Sequence, residues 1–374
     1  MSEPVQGALR TPACDLFGVR YPIVQTGMGY VSGPELTAAT SNAGGLGILA
    51  GATLSYPELA AAIGRTRDLT QAPFGVNLRS DAPDAARRVD LLISERVKVA
   101  SFALAPRPEL IGRLKEAGLV VVPSIGARRH AEKVAAWGAD AVIVQGGEGG
   151  GHTGQVATTV LLPQVVDAVG IPVIAAGGFF DGRGLVAALA YGAAGIAMGT
   201  RFLLTSDSTV PEATKRLYLA AAVTDTVLTS ALDGVPQRLL RTPVTDRLAG
   251  QGSLARLVRS ARSAAGFRRL SGSTWGNLLR QGIEMHRTHE LPWGQVLLAA
   301  NTPALLRAAM VDGRAELGVM ATGQVAGVID DLPSCAELIG RIVAEAVAVL
   351  ARLADPGSAQ ATGTGPAGRR EGKS

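Results

Sequence analysis

Aromatic and sulfur-bearing side chains are scarce here: Phe, Trp and Tyr together make 4% of 374 residues, beside two cysteines and four histidines. Cys14 and Cys335 lie too far apart in the chain to suggest a disulfide-stapled scaffold. With no signal-peptide pattern, they point to a cytoplasmic setting. The shortage of aromatics and the lack of a recognisable module argue against a surface that stacks nucleic-acid bases. The net charge, 36 − 31 = +5, is too small to imply such a partner by itself. The longest uncharged stretches, 36–57 and 184–200, are interrupted by Gly, Asn and Ser, so neither reads as a membrane span. What is plentiful is small and aliphatic. With 47% apolar residues and 47 glycines the chain can build a large, closely packed core, which rules out disorder throughout.

Short apolar runs recur on a regular beat over 22–27, 45–50, 73–78, 97–102, 119–123, 140–145, 172–176 and 195–199. Segments of helical period separate them, as in 57–63, 108–115, 130–136 and 182–190. Continuously apolar strands between helices indicate a parallel sheet covered on both faces. Eight such units can close, so the expected fold is α/β, a (β/α)8 TIM barrel. An open doubly wound sheet has the same spacing and stays as the alternative.

Beyond Arg201 the beat stops. From about Gln237 to His289 ten arginines face only Asp246 and Glu284 on a helical period. This predicts a basic helical lobe over 236–299, inserted into a barrel made of 10–235 and 300–354, whose closing helices cover 302–310 and 334–354. The tail 355–374 is expected to be disordered. The arginines read equally as a solvated face or as a surface for a substrate's phosphates or carboxylate.

Reactive groups in such a barrel sit at the C-terminal ends of the strands. Gly177 and Gly178, with Gly199 and Thr200, end the last two runs, where unpaired N–H groups commonly hold a phosphate. Relief of crowding at barrel corners is the plainer reading of the same glycines. The run Gln145-Gly-Gly-Glu-Gly-Gly-Gly-His152 looks too costly in entropy to be packing alone, which predicts a ligand close to its backbone. His152 is the only histidine at a predicted strand tip and is the candidate general acid or base, or polarising donor. Glu148 reads first as a helix cap or ion-pair partner. Met28 and Met198 are either core or contacts to an aromatic ring. His286 and His289 have no carboxylate cluster around them, so no metal site is expected.

The motifs Pro22-Ile-Val-Gln-Thr-Gly-Met-Gly29, Asn42-Ala-Gly-Gly-Leu-Gly47, Pro73-Phe-Gly-Val-Asn77, the run 145–154, Ile174-Ala-Ala-Gly-Gly178 and Ala197-Met-Gly-Thr-Arg-Phe202 resemble the nitronate monooxygenase (2-nitropropane dioxygenase-like) family. The resemblance covers roughly 10–205 and resumes over 301–338. It implies an FMN-binding (β/α)8 barrel, in a family that also contains flavin-dependent enoyl reductases. By matching positions, the flavin site is Gln25, Gly27, Met28, Asn77, Gln145, Gly150, Gly178, Ala197, Met198, Gly199 and Thr200, with His152 over the flavin. The segment 323–327, including Gln324, resembles the loop that closes over the isoalloxazine face. The chain departs from the family in Gly149, where members usually show Ala, and in its longer, more basic lobe.

Over its whole length the chain is more similar to an actinobacterial branch of steroid (cholesterol) ring catabolism that reduces a hydroxylated hexahydroindane carboxyl-CoA. That likeness implies a CoA thioester substrate met by Gln324, Arg268 and Arg269. It also implies NAD(P)H as the transient reductant of FMN and hydride delivery to a conjugated carbon, with His152 orienting the substrate or supplying the proton. No dinucleotide fingerprint is present, so the nicotinamide would dock only transiently. A nitronate monooxygenase using O2, and a flavin-free barrel for a phosphorylated metabolite, are the alternatives. No nucleic-acid or membrane partner is expected, and a homo-oligomer is compatible with the sequence.

Overall fold

The computed structural model describes residues 9–249 and 293–355. Within them, eight parallel strands close a barrel: β1 (Ile23–Gln25), β2 (Leu46–Ala50), β3 (Phe74–Arg79), β4 (Val99–Ala103), β5 (Val120–Ile125) and β6 (Val142–Gln145) are followed, after a two-residue β7 (Gly151–His152) outside the barrel, by β8 (Val173–Ala176) and β9 (Gly195–Met198). Closure is carried by β1 against β9, with Ile23, Val24 and Gln25 opposite Ile196, Ala197 and Met198. The open-sheet alternative is thereby excluded.

Continuous apolar strands follow from this geometry because each strand is buried on both faces. Val24, Ile48, Val122, Ile143 and Ile174 fill the interior, and the helix Pro12–Phe17 adds Ala13 and Phe17 to the same cluster. That helix closes the foot of the barrel, where the Thr11 hydroxyl donates to the carbonyl of Ala194 just before β9. The outward faces pack on the helices, Val76, Leu78 and Val121 meeting Leu59, Ile63 and Leu110. The last helix, Cys335–Ala354, starts from a Ser334–Glu337 capping box. It crosses the helix Gly182–Ala190 so closely that a Cβ on Gly182 would lie 2.4 Å from the Ala346 nitrogen.

Past the barrel strands the observed elements differ from the expected lobe. Gln237–Leu240 is a strand, β11, not helix, and it pairs antiparallel with β10 (Thr226–Thr229) and with β7. Four residues are too few for a period to choose between helix and strand, and the choice is made by the partners on either side. A single bridge from Leu239 to Ala321 ties this small sheet to the segment before Gly323. The helix expected over 302–310 runs as Trp293–Met310. Of the ten arginines, Arg238, Arg241 and Arg247 are described. Arg268 and Arg269, with the rest of 250–292, and the tail from 356 onward lie outside the described residues.

Candidate active site

At the C-terminal mouth of the barrel lies a cavity of about 350 Å³. It collects residues from the loop after β1, from β3, β4, β5, β6, β8 and β9, from the glycine run and β7, from Gln237 of β11, and from the helix Trp293–Met310 and the segment 321–325. Of the residues predicted for the site, Gly27, Met28, Asn77, Gln145, Gly150, His152, Gly177, Gly178, Ala197, Met198, Gly199 and Thr200 line it. Two others do not. Gln25 is completely buried, and its Nε2 donates to Ser32 Oγ (2.8 Å), to the Ile48 carbonyl (3.2 Å) and to the Thr26 carbonyl. As the last residue of β1 it turns under the loop 26–32 and braces it from below. Gln324 begins a 3₁₀ turn, Gln324–Val328, in which its neighbours Gly323 and Val325 face the cavity while its own N–H donates to the Glu148 carbonyl.

The glycine-rich run has an explanation that its entropy cost did not reveal. A Cβ on Gly146 would lie 2.0 Å from Thr158 Oγ1, one on Gly149 2.6 Å from Gln145 Nε2, and one on Gly150 2.5 Å from the Thr322 carbonyl carbon. Protein neighbours alone thus demand these three glycines, and Gly149 and Gly150 also line the cavity. Gly149 in particular leaves room for the Gln145 side chain, whose Nε2 donates to the His152 carbonyl at 2.9 Å. Glu148 in the same run is a cap: its carboxylate accepts from the Thr158 N–H (3.0 Å) and hydroxyl (2.7 Å) at the start of the helix Thr158–Val166. Arg238 likewise serves the loop, donating to the Gly147 carbonyl at 2.9 Å.

His152 is the exposed end of β7, and pairing across the small sheet places it opposite Gln237. Its Nε2 is 2.7 Å from Asp233 Oδ2, and the Gln237 amide donates to that same oxygen at 2.6 Å. The Val235 N–H donates to Asp233 Oδ1 at 3.1 Å, so both carboxylate oxygens are engaged. Burial works against ionisation of Asp233, but the bonds from His152, Gln237 and Val235 outweigh it and hold the carboxyl below its usual range. Arg79, at the end of β3 and chelated by Asp81 (2.9 and 2.6 Å), also acts on Asp233 through its charge. Asp233 and Gln237 were missed by sequence reasoning because they fall past the eight predicted strand tips, on either side of the boundary where the basic lobe was expected to begin. The one available signal was the Asp-Gly pair at 233–234, a turn pattern that brings no catalytic expectation.

The lining fits a flavin. Gly177 and Gly178 both hold φ near +90°, and an added Cβ on Gly178 would meet nothing nearer than Glu148 carbons at 3.7 Å, which leaves an open, glycine-lined cradle. Thr200, whose Oγ1 accepts from the Gly323 N–H, adds a hydroxyl beside it. Met28, Ala197 and Met198 offer apolar contact for a flat ring, and Asn77 and Ser101, joined at 3.3 Å, offer polar edges. No group of three potential metal ligands occurs among the described residues.

Comparison with known proteins agrees with this construction. The chain is 64% identical over 343 residues to the (3aS,4S,5R,7aS)-5-hydroxy-7a-methyl-1-oxo-octahydro-1H-indene-4-carboxyl-CoA dehydrogenase of Mycobacterium tuberculosis, covering 91% of this chain and 96% of that one. It is 59% identical over 339 residues to the protein of the same name from Rhodococcus jostii, with the same coverage of both chains. Among solved structures, FabK from Thermotoga maritima superposes with a TM-score of 0.76 at 35% identity, covering 92% of this chain and 98% of that one. The family model for nitronate monooxygenase matches residues 10–87 and 84–345. The chain is an oxidoreductase with a flavin cofactor and belongs to the nitronate monooxygenase family.

Proposed function

We propose that this protein is an FMN-dependent oxidoreductase of a cyclic acyl-CoA in steroid ring degradation. Hydrogen moves between the flavin and the carbons next to the thioester, with NAD(P)H as the partner reductant and the cytoplasm as the setting. The two relatives above are named as dehydrogenases, which is the same step written in the opposite direction to reduction of the conjugated ester. The observation that carries the reading is a histidine held by a carboxylate at the mouth of a glycine-rimmed cavity in which no described lining residue is Lys or Arg.

That lining discriminates between substrates. A small anionic nitronate would enter beside Asp233 with no described cation in the cavity wall to offset its charge. The neutral acyl end of a thioester meets no such opposition. In this reading Gly177, Gly178, Gly199 and Thr200 bind the flavin phosphate, Met28 and Met198 flank the ring, and Asn77 and Gln145 bond its polar edge. Bound flavin supplies hydride transfer, which no side chain can. His152 takes or returns the proton at the carbon beside the thioester carbonyl, while the backbone of 321–325 walls the mouth against water.

The test is an anaerobic titration of the yellow enzyme with saturated and unsaturated cyclic CoA esters, alkyl nitronates and NAD(P)H. Bleaching by NAD(P)H or by a saturated ester, with colour restored by the unsaturated ester, is expected. Bleaching by nitronates together with indifference to NAD(P)H and to CoA esters would overturn the proposal.

A further inference from the structure

We propose that Asp233, itself fixed by Gln237 and Val235, is the positioning residue of this site. It locks the His152 imidazole in the Nε2–H tautomer, so that Nδ1 carries the lone pair that exchanges a proton with a carbon acid. This inference rests on the proposed function for the identity of the carbon acid, but its structural half stands apart from any substrate.

The argument begins with the oxygen on which two donors converge. Asp233 Oδ2 lies 2.7 Å from His152 Nε2 and 2.6 Å from Gln237 Nε2. A carboxylate oxygen is an acceptor only, so at 2.7 Å the facing ring nitrogen must carry the hydrogen. The Gln237 amide is also 3.1 Å from His152 Nε2 and could donate to it in the other tautomer. That arrangement would set a bare nitrogen lone pair against an anionic oxygen. A charge-assisted bond outweighs a neutral one roughly twofold, so the carboxylate decides. Gln237 then spends its donor on Asp233 and serves to aim it.

Burial grades along the triad as the role requires. The His152 side chain is 56% exposed at the mouth, whereas that of Asp233 is 16% exposed behind it. Register explains how two distant segments meet: Gln237 stands opposite His152 in the β7–β11 ladder, and the turn before β11 brings Asp233 back over both. Nε2 is the ring nitrogen with protein partners, and Nδ1 makes no bond to a described residue. The other charged groups near the triad are already engaged, Arg79 by Asp81 and Glu148 by Thr158. Neither competes for the imidazole.

The substrate class follows from the chemistry. A nitronate arrives already deprotonated and has no use for an oriented base. A saturated thioester does: its Cα–H bond breaks, the proton bonds to Nδ1, and the electron pair enters the new C=C as a hydride leaves the neighbouring carbon for the flavin. In the reducing direction the same Nδ1–H returns the proton to Cα.

The experiment uses the full-length, flavin-loaded enzyme labelled with 15N-histidine. Ring-nitrogen NMR is expected to show the neutral form of His152 with Nε2 protonated and Nδ1 bare. Asp233→Asn should mix the tautomers and lower the rate constant of flavin reduction by the saturated CoA ester ~100-fold, within the range for general acid–base catalysis, while the Kd of the ester changes less than ~3-fold. Asp233→Glu should restore the Nε2–H tautomer and most of the rate. An Nδ1–H tautomer in the wild type, or an Asp233→Asn enzyme with unchanged tautomer and rate, would overturn the inference. Failure of the ester to reduce wild-type flavin would instead remove the proposed function and leave the tautomer to decide on the triad. If Asp233→Asn does not fold, the wild-type spectrum and Asp233→Glu still distinguish the two tautomers.

Discussion

The ion pair between buried Arg201 and part-exposed Asp331 shows how single side chains tie the barrel to the segment before the last helix. Arg201, one residue past the Gly199-Thr200 rim, is almost wholly buried and donates to Asp331 Oδ1 at 2.8 Å, to the Asp331 carbonyl at 2.9 Å and to the Leu204 carbonyl at 2.6 Å. Burial raises the Asp331 carboxyl, but bonds from Arg341 and Arg201 outweigh it, so the folded-state value lies below the ordinary one. A depressed carboxylate contributes stability that is complete above the unfolded value, about 4, and disappears as pH falls through the folded value below it. Asp331→Asn should therefore cost about 2 kcal/mol at pH 7, less than for a fully enclosed pair because Asp331 is part-exposed and the carbonyl bonds to Arg201 survive. Urea unfolding at pH 7 and at progressively lower pH checks it: the gap between variant and wild type should shrink toward acid. An undiminished gap at pH 3 would assign the effect to packing instead.

Elements rather than residues decide how the mouth is built, and the helix Thr158–Val166 is the clearest case. Its own N-cap, Ala157, offers no side-chain bond, and the missing acceptor comes from Glu148 ten residues earlier. Glu148→Ala should lower stability by about 1 kcal/mol, the usual worth of a cap, and loosen the run 146–152 that carries His152. Thermal melting measures the first effect, and faster amide exchange at Thr158 measures the second. An unchanged melting point would mean that water caps the helix equally well. Glu148 as a cap could be anticipated from sequence because a charge in a glycine loop has few other uses. The eight barrel strands were legible for a similar reason, each being a short aliphatic run confined by its neighbours. The β7–β11 pairing was not, since a Gly-His dipeptide and a four-residue segment hold no period to read. Gln25, placed at the flavin by the resemblance alone, is buried under the loop instead of lining the cavity, and a period of two cannot tell which way the final residue of a three-residue strand turns once the loop begins.

At the scale of the whole molecule, the mouth joins residues as far apart in sequence as Met28 and Val325, so a ligand there links elements from both ends of the chain. A group that binds only the folded state stabilises it by mass action, about 2.7 kcal/mol at a hundredfold excess over Kd. For a chain of this length that corresponds to a rise in Tm of about 3 °C. Flavin-stripped protein should gain that rise with added FMN and turn yellow. Gly178→Ala should lose most of it, because a Cβ at φ +87° is strained and stands in the open cradle beside Gly177. Gly64→Ala provides the contrast: it lies within the helix Tyr56–Leu69, and its new Cβ would meet nothing within 4 Å. That variant should be slightly more stable by itself, through helix propensity, and should keep the full response to FMN. Equal responses in the two variants would take the phosphate away from the Gly177–Gly178 rim. No response in the wild type would take FMN away from the mouth altogether.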